Sequence, residues 1–321
     1  MKILFFTGKG GVGKSTISAA SAWQLSQTHR VLTVSLDPAH NLGDVFGVIL
    51  KHKKHRITDS LYLKEVNMQK LCREYLQRET KVLTDTYRYL QTINLDTYFS
   101  ILKYSPGIEE YALLTSIEET VRYEKDFDYV VFDTPPTGLT LRFLALPWIT
   151  VTWIDRLIQI RREILKKRHT IYRIRGLLDD KETILSYDED DDDILKRLKI
   201  LRGNYQTLSS ILQGKDCGIV LVYNPDTLSL KESKRLIHGL GELKLPLRLL
   251  INNKVREKYG AMADHVDSVM QSLAPAVPIQ RVAFSERLLD GQNSTLYDIE
   301  ETILSPFEIK PESCIKINEI F

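Results

Sequence analysis

Eight residues near the N-terminus, Gly8 to Ser15 (GKGGVGKS), satisfy the spacing GxxxxGK[ST]. Gly8, Gly10, Gly11 and Gly13 let successive backbone N–H groups turn inward around an anion, and a helix starting near Ser15 adds a favourable dipole. In such a loop Lys14 pairs with the β- and γ-phosphates of a nucleotide, and the Ser15 hydroxyl ligates Mg²⁺. Gly8, Lys9, Gly10, Gly11, Gly13, Lys14, Ser15 and Thr16 are therefore the candidate nucleotide contacts. Two aspartates end apolar runs further along, Asp37 and Asp133. An aspartate at a strand end beside a phosphate loop can hold metal or water. The commoner fate of a lone aspartate, a turn or a helix cap, is the competing reading for both.

Positioning these groups requires a particular kind of fold. The runs Ile3 to Phe6, Val31 to Leu36, Tyr129 to Phe132, Ile219 to Tyr223 and Leu247 to Ile251 are apolar without alternation, as strands covered on both faces are. Helical patterns separate them, and polar or glycine-rich segments follow four of the five: GKGGVGKST, DPAHN, DTPPTG and NN. The pattern predicts an α/β, doubly wound, mostly parallel sheet of the P-loop NTPase kind, with ligands at the C-terminal strand edge. Apolar residues recur at helical spacing from Asn67 to Lys103 and after Pro147, which predicts an inserted helical subdomain over about residues 67–105 and 149–216. The acidic run Asp188 to Asp193 reads as a solvated loop. With neither repeat nor flexible linker, residues 1–321 are expected to form a single domain.

Bulk properties narrow the setting. Lys and Arg total 44 against 42 Asp and Glu, so no global field draws the chain to nucleic acid or anionic lipid. Cys72, Cys217 and Cys314 are far apart, without a CxxC pair, which predicts no zinc site, no disulfide framework and a reducing, cytoplasmic setting. Charges interrupt every apolar stretch before the length of a spanning helix, so any membrane contact is expected to be peripheral.

The string KGGVGKST resembles the deviant Walker A motif of the dimeric ATPases that include nitrogenase iron protein, septum-placing ATPases and arsenite-pump ATPases. That resemblance implies a homodimer in which Lys9 crosses the interface to phosphates on the other subunit. Asp37 to Phe46 (DPAHNLGDVF), Asp133 to Pro147 (DTPPTGLTLRFLALP) and PGIEE at Pro106 to Glu110 resemble elements of the arsenite-pump ATPases and of the ATPases that deliver tail-anchored membrane proteins. The resemblance implies an ATP-hydrolysing switch with ATP and Mg²⁺ as cofactors. It makes Asp37 the residue that positions the attacking water, Asp133 a Mg²⁺ ligand through water, and Asn252 the adenine-reading residue.

The departures bear on the client. Leu139 stands where the arsenite pumps carry a metalloid-binding histidine, no cysteine lies between Cys72 and Cys217, and there is one phosphate loop rather than two. Tail-anchored-protein targeting is thus somewhat preferred over driving an arsenite pump, with a membrane-protein client or membrane partner left unidentified. The stripe Val151, Ile154, Leu157, Ile158 and Leu165 fits either a client groove or intramolecular packing, the latter preferred. A non-hydrolysing ATP-binding chaperone or scaffold is the alternative class. The cysteines argue against electron transfer, and no nucleic-acid partner is expected.

Overall fold

The computed structural model describes residues 1–38, 41–50, 53–86, 105–175 and 188–284. Among the described residues, eight strands form one sheet in the order β3-β4-β2-β5-β1-β6-β7-β8. They span Lys2–Thr7 (β1), Val31–Ser35 (β2), His55–Arg56 (β3), Leu61–Glu65 (β4), Tyr129–Asp133 (β5), Cys217–Tyr223 (β6), Leu247–Val255 (β7) and Ile279–Ala283 (β8). All pairings are parallel except β3 with β4, at one edge. The five predicted apolar runs are β1, β2, β5, β6 and β7, and the sheet is the α/β type expected. β1 is central, between β5 and β6. Because the chain leaves β1 toward β2 on one side and later passes from β5 to β6 on the other, the C-terminal edge beside β1 is a topological switch point.

Helices cover both faces unequally. On one face Leu4, Phe6, Val220, Leu249 and Ile251 of the sheet pack against Ile17, Ala19, Ala20, Ala22 and Leu25 of α1 (Lys14–Ser26) and Leu42 and Val45 of α2 (Asn41–Phe46). The small alanines let α1 lie close to β1, which brings its N-terminus to the strand edge. On the opposite face Ile3, Phe5, Val130, Phe132, Ile219 and Tyr223 meet side chains from six helices. These are α3 (Met68–Thr86), α4 (Ile108–Tyr123), α5 (Thr137–Arg175), α6 (Asp193–Leu212), α7 (Thr227–Glu242) and α8 (Gly260–Leu273).

The longest helix differs from its expected start. α5 begins at Thr137 and runs through Pro147 for 39 residues, so it is continuous with the DTPPTG segment rather than beginning after the proline. At 1.5 Å rise per residue it is roughly 58 Å long. By length and composition alone, Thr137–Ile171 could cross a membrane, although Arg142, Asp155 and Arg156 interrupt it. Phe143 and Leu144 near its start are instead buried in the core, and Ile154, Ile158 and Leu165 pack on Leu195 of α6 as a separate small cluster. Packing thus claims three of the five residues of the sequence stripe. Residues 87–104, within the first expected insertion, lie outside those described.

One expectation is overturned between α5 and α6. Asp192, read as part of a solvated acidic loop, is buried as the N-cap of α6. Its Oδ1 accepts from the Leu195 N–H at 2.7 Å and from Arg161 Nε at 3.1 Å, and its Oδ2 from Arg161 Nη2 at 2.6 Å. A run of like charges reads as solvated because sequence does not show which member has a cation across from it. Burial alone would raise the Asp192 pKa, but the bonds from Arg161 and Leu195 and the nearby Arg168 charge outweigh it and hold the carboxyl below its usual range. A depressed carboxyl pKa stabilises the fold above its unfolded value and loses that contribution as pH falls through the folded one. Asp192→Ala is therefore expected to cost about 2–4 kcal/mol at neutral pH, from the lost cap and the uncompensated Arg161. The difference from wild type should shrink on acidification, as measured by denaturant unfolding at pH 7 and pH 3.

Candidate nucleotide site

The loop after β1 is shaped by two close approaches. Gly8, at φ 152°, lies under β6: a Cβ there would meet the Val222 carbonyl oxygen at 2.1 Å. Gly13, at φ 94°, lies under β7, where a Cβ would meet Asn253 Nδ2 at 2.4 Å. Neither position admits a side chain, and Gly13 adopts a left-handed conformation that favours glycine. Gly10 and Gly11, by contrast, have open space where a Cβ would stand. The loop is thus clamped at its ends and open in the middle, with room for phosphate and backbone N–H groups available to it.

β7 supplies the outer wall. Asn253 Nδ2 donates to the Val12 carbonyl at 2.8 Å and Lys254 Nζ to the Gly11 carbonyl at 2.8 Å. Lys254 itself has φ 59°, which turns it back toward the loop. Neither residue is singled out by the sequence, where the pair NN marks only a polar strand end. A cleft of about 390 Å³ opens beside this wall, lined by Asn224, Pro225, Asp226, Thr227, Lys254, Arg256, Tyr259 and Met262.

The charged centre lies at the start of α1. Lys14 is buried, and its Nζ donates to the Lys9 carbonyl at 3.3 Å. Burial lowers its pKa, opposed by the carboxylates of Asp133, Asp37 and Glu232. Those three thus converge on Lys14 from the ends of β5 and β2 and from α7. Glu232 also accepts a hydrogen bond from the Thr137 hydroxyl at the first turn of α5. No motif distinguishes Glu232 in the sequence; only the fold brings α7 to this edge. Ser15 is buried beside Lys14, Thr16 is half-buried one residue on, and Lys9 is half-buried with its backbone turned inward.

Asp133 is fully buried, and neither carboxylate oxygen has a well-formed hydrogen-bond partner. Burial pushes its pKa up to about 7, although the neighbouring Ser15 hydroxyl and Lys14 ammonium oppose the shift, while Asp37 and Glu65 add to it. Ser35 pairs with it across the sheet, and its hydroxyl is likewise buried without a partner. Such a concentration of unsatisfied acceptors beside a lysine is costly unless a cation or its water shell completes it. The donor set, carboxylate and hydroxyl oxygens, suits Mg²⁺.

Asp37 stands where β2 ends beside β5, its neighbour Leu36 donating its N–H to the Asp133 carbonyl at 2.8 Å. Ala39 and His40 of the same segment lie outside the described residues. On the other side, Glu65 Oε1 accepts from the Gly43 N–H at 2.8 Å and anchors α2. The DTPPTG turn is tied to the phosphate-loop strand. Thr134 Oγ1 donates to the Phe6 carbonyl at 2.8 Å and Thr140 Oγ1 to the Pro135 carbonyl at 2.7 Å. Asn252 is buried in β7, its side chain turned to the face opposite Asn253. The fold therefore gathers Gly8 to Thr16, Asp37 and Asp133 at one strand edge, with Asn252 two strands away on the same edge.

A doubly wound parallel sheet with this loop after its central strand defines a nucleotide-binding P-loop protein. Residues 1–267 match the family model described as anion-transporting ATPase. The chain is 34% identical over 257 residues to the putative arsenical pump-driving ATPase 2 of Aquifex aeolicus, covering 79% of this chain and 80% of that one. It is 28% identical over 320 residues to the ATPase ASNA1 homolog of Babesia bovis, covering 95% and 83%. It is also 28% identical over 259 residues to the ATPase get3 of Schizosaccharomyces japonicus, covering 79% and 75%. The chain belongs to the anion-transporting ATPase family, and it is an ATPase.

A carboxyl pKa raised in the folded state favours folding below the unfolded value and loses that advantage as pH rises through the folded one, here between about pH 4 and 7. In nucleotide-free protein, Asp133→Asn is therefore expected to raise stability above pH 7, on the order of 2–4 kcal/mol, and to change little near pH 4. The same variant should lose Mg²⁺-dependent nucleotide affinity. Thermal unfolding at pH 4.5 and 8, with and without Mg-ATP, measures both effects.

Proposed function

We propose that this ATPase acts as a cytosolic homodimer that couples Mg-ATP binding and hydrolysis to delivery of an apolar membrane-protein segment to a membrane. The observation that carries the delivery reading is on α5. Trp153, Leu157, Ile160, Ile164 and Ile171 are all exposed, and at 100° per residue they fall within about 60° of one another. The buried stripe of the same helix, Ile154, Ile158 and Leu165, lies roughly 110° away. Ile200 and Leu201 of α6 are exposed as well. Large apolar side chains aligned on a helix beyond what packing uses are the feature expected of a docking surface for another apolar helix. In sequence this stripe hides because the two apolar sets interleave, one residue apart at 153 and 154 and at 157 and 158.

Driving an arsenical pump, as some relatives' names state, is less well supported. Cys217 is buried in β6, and burial pushes its thiol up to about 12, far from the thiolate that As(III) needs. Cys72 is also buried, and burial, then the charges of Glu109 and Glu110, raise its pKa.

In the proposed reaction the phosphate-loop N–H groups and Lys14 hold the β- and γ-phosphates, and Asp37 orients the attacking water. Mg²⁺, held by Ser15 and through water by Asp133, would neutralise charge on the phosphates. Lys9 of each subunit would stabilise developing charge at the partner's site, in the manner of an arginine finger. Contacts to the γ-phosphate would bias the two loops after β2 and β5, and loss of that phosphate would release them.

Steady-state hydrolysis against protein concentration, with light scattering on the same samples, tests the dimer mechanism. Specific activity is expected to rise as dimer forms, and to drop at least 100-fold in Lys9→Ala and in Asp37→Asn while Asp37→Asn still binds Mg-ATP. Activity independent of concentration that survives Lys9→Ala would mean that the monomer hydrolyses alone. For the delivery reading, Ile160→Asp/Ile164→Asp should leave ATP turnover within about twofold. Its capture of an apolar helical peptide, read by cross-linking, should fall at least tenfold. Undiminished capture would remove the stripe from the mechanism.

A further inference from the structure

Three neighbouring strands aim polar side chains at one carboxylate. Tyr223 of β6, Asn252 of β7 and Arg281 of β8 are paired in register across the sheet. Asp267 of α8 sits over them and collects a bond from each. Its Oδ1 accepts from the Tyr223 hydroxyl and from Asn252 Nδ2, both at 2.7 Å, and its Oδ2 accepts from Arg281 Nε at 2.5 Å. Arg281 Nη2 also donates to Asp264 at 2.7 Å. Every group in the cluster is engaged except one: Asn252 Oδ1 is buried and has no partner.

That exception follows from the chemistry of the hub. An ionised carboxylate can only accept, so the amide nitrogen of Asn252 must face Asp267 and the amide oxygen must face away. The Arg281 guanidinium pairs with the other oxygen of Asp267, so the carboxylate is held in place and the orientation of the amide is fixed before any ligand arrives. A buried carbonyl left unpaired is costly, and a ligand that brings an N–H to it recovers that cost. Adenine presents an exocyclic amine, a donor, at the position where guanine presents a carbonyl oxygen. A fixed acceptor therefore accommodates the first and repels the second, whereas an asparagine free to flip would serve both.

We propose that Asp267 is a positioning residue that locks the Asn252 amide as an acceptor and so sets the preference of this ATPase for adenine over guanine nucleotides. The proposal rests on Asn252 as the base-reading residue and adds what fixes its sense. Asp267 touches neither base nor phosphate; it acts through Asn252.

The experiment compares kcat/KM for Mg-ATP and Mg-GTP in wild type, Asn252→Ala, Asp267→Asn and Tyr223→Phe. Wild type should prefer ATP at least tenfold. Asn252→Ala and Asp267→Asn should both bring the ratio close to one, the loss in Asp267→Asn appearing in KM for ATP rather than in kcat. Tyr223→Phe removes a bond to the same carboxylate oxygen without freeing Asn252, so its ratio should stay at the wild-type value. Should Asp267→Asn fail to fold because Arg281 is left unpaired, Asp267→Asn/Arg281→Gln removes both charges and carries the same expectation. An ATP preference lost in Asn252→Ala but intact in the Asp267 variants overturns the proposal while sparing the role of Asn252. A preference intact in Asn252→Ala overturns the base-reading role and the proposal with it. Loss of preference in Tyr223→Phe would reduce Asp267 to general support, which also overturns it.

Discussion

The approach of the loop after β1 to the ends of β6 and β7 is the constraint on which the rest of the site depends. With the Val222 carbonyl and the Asn253 amide standing where Cβ atoms of Gly8 and Gly13 would be, the loop lies against the ends of β6 and β7 at a distance that glycine permits. Clamping both ends fixes the backbone between them, and it also fixes where α1 begins, and hence where Lys14 and Ser15 stand. The alanines of α1 that pack against the sheet serve the same end. They hold the helix close enough for its first turn to meet the carboxylate at the end of β5. Phosphate binding is prepared here by backbone packing before any charged side chain contributes.

Charge is placed against that frame in a deliberately unbalanced way. Asp133 and the hydroxyl of Ser35 are buried at neighbouring strand ends without partners, while Lys14 is desolvated among three carboxylates. The lysine and Asp133 each relieve part of the other's burial cost. In the proposed reaction a triphosphate and its cation would take over both partners, Lys14 meeting phosphate oxygens and Asp133 the water shell of the metal. The cost of burying these groups without partners would then be recovered on binding, which favours the loaded site. Asp267 shows the opposite arrangement at the other end of the same strand edge. There three strands donate to one carboxylate and the buried amide oxygen of Asn252 is left open, so the opening is directional.

Much of this was legible in the sequence, for identifiable reasons. The five buried strands announced themselves because parallel strands covered on both faces must be apolar throughout. The phosphate loop announced itself because phosphate geometry leaves few residue choices at fixed spacing. What sequence could not show was pairing across the fold. Asp192 looks like its acidic neighbours until Arg161 is seen opposite it, and Glu232 has no motif because its place near Lys14 comes from the packing of α7. Asn253 and Lys254 were hidden behind Asn252, since a strand edge turns alternate side chains to opposite faces and one dipeptide therefore serves two networks. The start of α5 was misplaced because Pro147 reads as a boundary. In the fold its missing N–H is tolerated within a helix already anchored by Phe143 and Leu144.

That continuity of α5 has a mechanical meaning for the proposed switch. The helix starts inside the segment that follows Asp133. Its first turn is bonded to Glu232, whose carboxylate faces Lys14, and its hydroxyl at Thr140 ties it back to Pro135. A change at the γ-phosphate position that shifts Pro135 or Thr137 must therefore either break those bonds or move the helix as a body. Two consecutive prolines, Pro135 and Pro136, restrict the first option by removing backbone freedom where a hinge would otherwise lie. Motion of the helix body is the softer response, and the exposed apolar stripe from Trp153 to Ile171 is carried on the same helix. A rotation at the first turn is passed along the helix toward the stripe, with Pro147, which lacks a backbone N–H, as the softest point between them. The turn after Asp133 and the exposed apolar stripe are in this way carried on one element.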